Sequence, residues 1–152
     1  MRTTVAAGLY ALDASNAKAL GGRAGQLRMP TVGAMVAIVE DDVAMRKSIE
    51  RLLQASGFGT SSFGCGDDFL QSDVATTASA LVLDMHLEGM SGLELQRRRL
   101  AAGMSCPVIF ITAYDDDDTR KQALSLGCTA YLQKPFEAHR LIEALNAACG
   151  ED

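Results

Sequence analysis

Three short unbroken apolar runs in this chain, and a fourth segment of the same length that closes on Gln133, each end in residues that can carry chemistry. Residues 36–39 run into Glu40-Asp41-Asp42, residues 80–83 into Asp84, residues 108–111 into Thr112, and residues 130–133 into Lys134-Pro135. An apolar run of four residues closed by polar ones reads as a strand buried on both faces of a parallel sheet. Between the runs the pattern changes to a helical period. Met45, Ile49, Leu52, Leu53 and Ser56 form one stripe, with Asp42 placed to cap its start and Gly57 placed to end it. A weak strand is expected at residues 60–63 and a short helix around 67–71. Further helices are expected at 93–101 and 119–126, and the last takes its apolar stripe from Leu141, Ile142, Leu145 and Ala148. Five such β/α units form an α/β open parallel sheet with helices on both faces, because right-handed crossovers must cover it on each side. Ligands of such sheets bind outside the carboxyl ends of the strands, at the switch in strand order.

That rule gathers acids, a hydroxyl and one amine at a single sheet edge. Carboxylates brought this close repel, and would take up protons unless a cation offsets them. The oxygen-rich cluster suits Mg²⁺, with Mn²⁺ as an alternative, and lacks the thiolates and imidazoles that zinc prefers. Phosphoryl transfer needs an in-line nucleophile and positive groups on the equatorial oxygens, and a carboxylate can serve as that nucleophile. Asp84 stands alone at the end of a buried strand, which makes it the nucleophile of choice. Glu40 and Asp41 are placed to hold the metal, Thr112 to donate its hydroxyl to a phosphoryl oxygen, and Lys134 to supply compact positive charge.

Composition sets limits on the alternatives. The 152 residues carry a formal charge of −5; residues 1–34 hold four basic residues and one acidic one, leaving ten basic against eighteen acidic in residues 35–152. Such acidity disfavours direct binding of nucleic acid or anionic membrane by this domain. The run Arg97-Arg98-Arg99 reads as a solvated helix face, since three residues cannot form a broad basic stripe. The run Asp115–Asp118 reads as a solvated helix start that suits the helix dipole. Tyr131 taken alone reads as a half-buried core aromatic, and His139 as an exposed residue without a role. Cys65, Cys106, Cys128 and Cys149 form no CxxC pair, and four free thiols fit a reducing cytoplasm. No apolar stretch approaches the roughly twenty residues of a membrane span. Residues 5–12 imitate a signal-peptide core, but Arg2 is the only charge before them and the segment ASNAKA at residues 14–19 is a poor match to a cleavage site.

Residues 1–34, with Gly21-Gly22 and Pro30, show no sustained period and read as a flexible or weakly helical extension before a domain at 35–152. Met35, directly before the first strand, leaves two readings of that extension: a working part, or a product of start-site choice.

The segments VAIVEDD, LVLDMHLEGMSG, IFITAYDD and AYLQKPF resemble the four signature segments of response-regulator receiver domains, in order, and the likeness spans nearly all of residues 35–149. KSIERLLQASGF, DMHLEGMSGLELQ and KPFE are closest to receivers of FixJ-like regulators. The resemblance implies a CheY-like, flavodoxin-like (βα)5 fold with strand order 2-1-3-4-5. It implies Asp84 as phospho-acceptor, Glu40 and Asp41 as the acidic pair, and the main-chain carbonyl of His86 as a further metal ligand. It also implies Thr112 as the switch hydroxyl, Lys134 as the invariant lysine followed by a cis bond to Pro135, and Tyr131 as the aromatic that turns inward when the hydroxyl moves toward phosphate. Implied partners are a sensor histidine kinase or phosphotransfer protein and a downstream protein target, with the domain a monomer or a phosphorylation-dependent homodimer. The implied activity is a switch, with at most slow self-phosphorylation and self-dephosphorylation.

The chain departs from the family pattern at three places. Glu40 replaces the commoner Asp, Glu88 stands where many members have Pro and is expected to loosen the loop after Asp84, and His86 with Tyr114 fills positions that tune acyl-phosphate hydrolysis. Two other classes fit less well. A haloacid-dehalogenase-type phosphatase needs a second acid two residues after its nucleophile, where His86 stands, and a flavodoxin-type electron carrier needs a phosphate loop where Glu40-Asp41-Asp42 would repel it. With no output segment after Asp152, the chain reads as a stand-alone receiver or as the receiver piece of a larger DNA-binding regulator.

Overall fold

The computed structural model describes residues 33–150. The reading of residues 1–34 as an extension falls, apart from Gly33 and Ala34, outside the described residues. Five parallel strands, β1 (Met35–Val39), β2 (Gly59–Phe63), β3 (Ala80–Asp84), β4 (Val108–Thr112) and β5 (Ala130–Gln133), form one sheet in the order β2-β1-β3-β4-β5. Every residue of β3 and β4 is buried, as is all of β1 after Met35. This is why their sequences are unbroken apolar runs rather than alternating ones. The polar edge strand β2, Gly-Thr-Ser-Ser-Phe, is partly exposed throughout, which accounts for its weak signal.

Helices α1 (Val43–Ala55) and α6 (Ala138–Cys149) cover one face. Ile49, Leu53, Leu141 and Leu145 pack there on Val36, Ile38, Val82, Ile109, Ile111 and Leu132. Helices α2 (Gly66–Leu70), α3 (Val74–Thr77), α4 (Gly92–Ala101) and α5 (Asp117–Ser125) cover the other, through Phe69, Ala75, Leu95 and Ala123 on Ala37, Val39, Leu81, Leu83 and Phe110. The single turn α3 was not foreseen, because Val-Ala-Thr-Thr is rich in β-branched residues that disfavour helix. Asp42 occupies the N-cap of α1, yet its side chain makes no capping bond; its N–H instead donates to Glu40 Oε2 at 3.1 Å. Gly57 follows that helix with φ +98°, the left-handed stop that its sequence position suggested. Gly92 is required for another reason. A Cβ there would lie 2.9 Å from Met85 Cα and collide with the Asp84 carbonyl, so the start of α4 abuts the end of β3.

Two expectations are corrected. Arg99 does not lie on a solvated face: it is fully buried, whereas its neighbour Leu100 is 45% exposed. Positions 92, 95, 96 and 99 share the inward stripe of α4, and helix phase overrides residue type. The two terminal nitrogens of the guanidinium bond neutral groups, with Nη1 donating to Gln96 Oε1 and Nη2 donating to the Cys106 carbonyl at 2.9 Å and to Cys106 Sγ at 3.1 Å, while Nε is buried without a hydrogen-bond partner. Burial pushes the Cys106 thiol up, and the Arg99 charge offsets only part of that. The run Asp115–Asp118 is a solvated helix start at Asp116, Asp117 and Asp118, which are exposed, and departs from that reading only at Asp115. Asp116 caps α5, accepting the Thr119 N–H at 2.8 Å, while Asp115 is half-buried and ion-paired with Arg120. Among the described residues, no helix is long and apolar enough to cross a membrane.

Candidate functional site

Side chains alternate along a strand, so register decides which strand-end residues face each other. Glu40 continues the parity of Ile38, Asp84 that of Val82 and Lys134 that of Leu132, all on the α1/α6 face. Thr112 continues the parity of Phe110, which pairs in register with Tyr131, on the α4/α5 face. The carboxylates and amine thus gather on one side of the sheet edge and the hydroxyl and aromatic on the other.

On the charged side, carboxylate oxygens of Glu40, Asp41 and Asp84 lie within 4.8 Å of one another. Glu40 is 1% and Asp84 3% exposed. Lys134 Nζ donates to Glu40 Oε1 at 2.9 Å and stands 3.6 Å from Asp84 Oδ2. Burial pushes the Glu40 carboxyl up to about 7; the Lys134 hydrogen bond opposes this, and the neighbouring Asp84 adds to it. Burial works against the Lys134 ammonium, but the Glu40 hydrogen bond and the charges of Asp84 and Glu40 outweigh it and hold the amine above its ordinary value. The leading causes differ: burial raises the Glu40 carboxyl, whereas the neighbouring acids raise the Lys134 amine. The Lys134-Pro135 bond is cis.

The loops hold these groups in place. Asp84 Oδ1 accepts the His86 N–H at 3.2 Å, and Asp41 Oδ2 accepts the Glu88 N–H at 3.0 Å. The second bond corrects the expectation for Glu88. A proline has no N–H to give, so the residue expected to loosen this loop ties it to the acid cluster. The exposed His86 ring meets the Tyr114 ring edge to face at 5.4 Å.

On the other side, the fully buried Thr112 hydroxyl donates to the Tyr114 carbonyl at 2.9 Å and accepts the Tyr114 N–H at 3.1 Å. Tyr131 is half-buried, with the Arg120 guanidinium 5.5 Å from its ring centre. Arg120 and Asp115 are neighbours of the site that sequence reading missed, since a lone Arg and one Asp of an acidic run carry no spacing signal.

Comparison with known proteins agrees with this arrangement. Residues 36–146 match the response regulator receiver domain family. The chain is similar to Nodulation protein W of Bradyrhizobium diazoefficiens, with 37% identity over 119 residues, covering 78% of this chain and 52% of that protein. It spans about half the length of the curated relatives it matches first. Among solved structures, the response regulator StyR superposes with a TM-score of 0.72 at 35% identity, covering 78% of this chain and 60% of StyR. FixJ-N superposes with a TM-score of 0.69 at 31% identity, covering 76% of this chain and 93% of that one. The sheet order, the match over most of the chain and these likenesses place the chain in the response-regulator receiver family of two-component signalling, as a FixJ-like receiver domain.

Proposed function

We propose that Asp84 accepts a phosphoryl group from a sensor histidine kinase or phosphotransfer protein, and that the domain then alters its contacts with a downstream protein. The observation that carries this reading is the meeting of Asp84 with Glu40 and Asp41 on one side and the Lys134 ammonium 3.6 Å away on the other. In the transfer, an Asp84 carboxylate oxygen attacks phosphorus, an acyl phosphate forms, and the bond from phosphorus to the donor imidazole nitrogen breaks. Lys134 is positioned to meet the negative charge of the incoming group, and the His86 N–H steadies the attacking carboxylate through Oδ1. Three oxygen donors within 4.8 Å, with no thiolate or imidazole among them, fit Mg²⁺ or Mn²⁺. Glu40, Asp41, Asp84 and the His86 main-chain carbonyl would hold the ion. When bound, it supplies positive charge that offsets the acids and the phosphoryl oxygens.

Thr112 then turns its hydroxyl from the Tyr114 backbone toward the phosphoryl group, and Tyr131 rotates into the space released. Phosphorylation thereby shifts a population between two arrangements. The reaction is a stoichiometric modification, with at most slow self-phosphorylation from small donors and self-dephosphorylation. The domain comprises residues 35–152, works in the cytoplasm, where its cysteines remain thiols, and is either a monomer or a phosphorylation-dependent homodimer. Because relatives about twice as long include transcriptional regulatory proteins, the same receiver is proposed to serve a longer DNA-binding regulator.

The test is labelling with acetyl phosphate and Mg²⁺. Wild type takes up one phosphoryl group per chain and Asp84→Ala takes up none; equal labelling of the two would end this reading.

A further inference from the structure

We infer that Arg120 and Asp115 form a latch that holds the Tyr131 ring in its resting position and so sets how readily a phosphoryl group on Asp84 switches the domain. The inference rests on the acceptor reading above and concerns the regulation of that same site. Three separate elements meet here: Asp115 in the loop after β4, Arg120 in α5 and Tyr131 on β5. Arg120 Nη2 is ion-paired with Asp115 Oδ2, and the same guanidinium lies 5.5 Å from the Tyr131 ring centre.

The Tyr131 hydroxyl and Asp115 Oδ1 are both buried and neither completes a well-formed hydrogen bond, yet the Asp115 carboxylate is near enough to act on the phenol as a charge and as a weak acceptor. Burial, and after it the nearby Asp115 charge, raise the phenol's pKa, so the hydroxyl stays protonated beside the acid. Two buried polar atoms without a well-formed hydrogen bond disfavour this arrangement, while the cation over the ring and the ion pair favour it. The resting position is therefore finely balanced, and Arg120 is the side chain that tips it.

The latch is also wired to the site. Thr112 Oγ holds both the N–H and the carbonyl of Tyr114, the residue immediately before Asp115. At the far end of the same loop, Asp116 is fixed by its cap to Thr119. When the Thr112 hydroxyl leaves Tyr114 for a phosphoryl oxygen, the segment carrying Asp115 loses its anchor, Arg120 loses its fixed partner, and the ring is released. Arg120 and Asp115 are thus positioning residues that act through Tyr131.

The test uses the whole chain carrying 3-fluorotyrosine, with the Tyr131 resonance assigned through Tyr131→Phe, and beryllofluoride with Mg²⁺ as the phosphoryl mimic. Arg120→Met and Asp115→Asn should each move the resting Tyr131 signal toward its beryllofluoride-bound position. Each should also tighten beryllofluoride binding by about threefold to tenfold, the factor that releasing an exposed ion pair and a cation over a ring allows. Arg120→Lys should restore part of the resting signal. A purely structural role would lower the melting temperature and leave both readouts alone. Resting signals unchanged and affinities within about twofold of wild type in both variants would overturn the latch. Failure of wild type to bind beryllofluoride, or equal binding by Asp84→Ala, would overturn the acceptor reading and the latch with it.

Discussion

The two sides of the sheet edge treat buried polar groups in opposite ways. On the α1/α6 side, Glu40, Asp84 and Lys134 neutralise one another through direct contacts of 2.9 and 3.6 Å. On the α4/α5 side, Tyr131 Oη and Asp115 Oδ1 are buried without a well-formed hydrogen bond, and Arg99 lies fully buried with only neutral partners around its two terminal nitrogens. The first arrangement is over-determined and suits a site that must present fixed charge. The second keeps polar atoms unsatisfied and suits a surface with two arrangements close in free energy. On the proposed function, a phosphoryl group arriving on the rigid side would be read on the strained one, with the Thr112 hydroxyl reporting between them.

The largest effect that could break this contrast lies at Arg99. Truncation by Arg99→Ala should cost about 4 kcal/mol in urea denaturation, since it opens a cavity and strips Gln96 and the Cys106 carbonyl of their donor. Arg99→Met, which keeps the length and drops the charge, should stay within about 1 kcal/mol of wild type or exceed it. Equal losses in both variants would mean that the buried charge itself stabilises this side, and the contrast would fail.

The next effect concerns Glu40. Its carboxyl is raised from 4.5 to about 7 in the folded chain, so the folded state binds the proton more tightly than the unfolded one. The stability this contributes is complete below pH 4.5 and is lost as pH rises through about 7. Metal-free protein, kept in chelator, should therefore lose about 3 kcal/mol between pH 4.5 and 8 relative to Glu40→Gln. Parallel profiles for the two proteins would show that burial does not hold the Glu40 carboxyl above its ordinary value.

A smaller effect sharpens the comparison at Lys134. Removing the amine leaves the acids unopposed, so Lys134→Ala should bind Mg²⁺ about tenfold more tightly by calorimetry, consistent with loss of a nearby positive charge. Weaker binding would mean that Lys134 arranges the acids rather than competing for them.

How far the sequence disclosed these features depended on the side. The charged half was legible because its groups sit directly at strand ends, where an apolar run stops on an acid or a lysine and the parallel fold brings the ends together. The order β2-β1-β3-β4-β5 followed from the family likeness. The strained half was hidden. Arg99 sat inside an Arg triplet whose composition suggested solvent, and only helix phase reveals that position 99 shares the stripe of Leu95. Asp115 sat inside an acidic run, and its pairing with Arg120 depends on how the loop after Thr112 turns, which no residue period encodes. The role of the Glu88 N–H was invisible for a similar reason, because a backbone donor has no side-chain signature.

The claim on which the rest depends is that the buried acid ending β3, rather than any of the three acids after β1, takes the phosphoryl group. The direct measurement is treatment with acetyl phosphate, borohydride reduction, which converts an aspartyl phosphate to homoserine with loss of phosphate, and peptide mass spectrometry. The account predicts homoserine at position 84 alone. Modification at Asp41 or Asp42 instead, or at no aspartate, would contradict it.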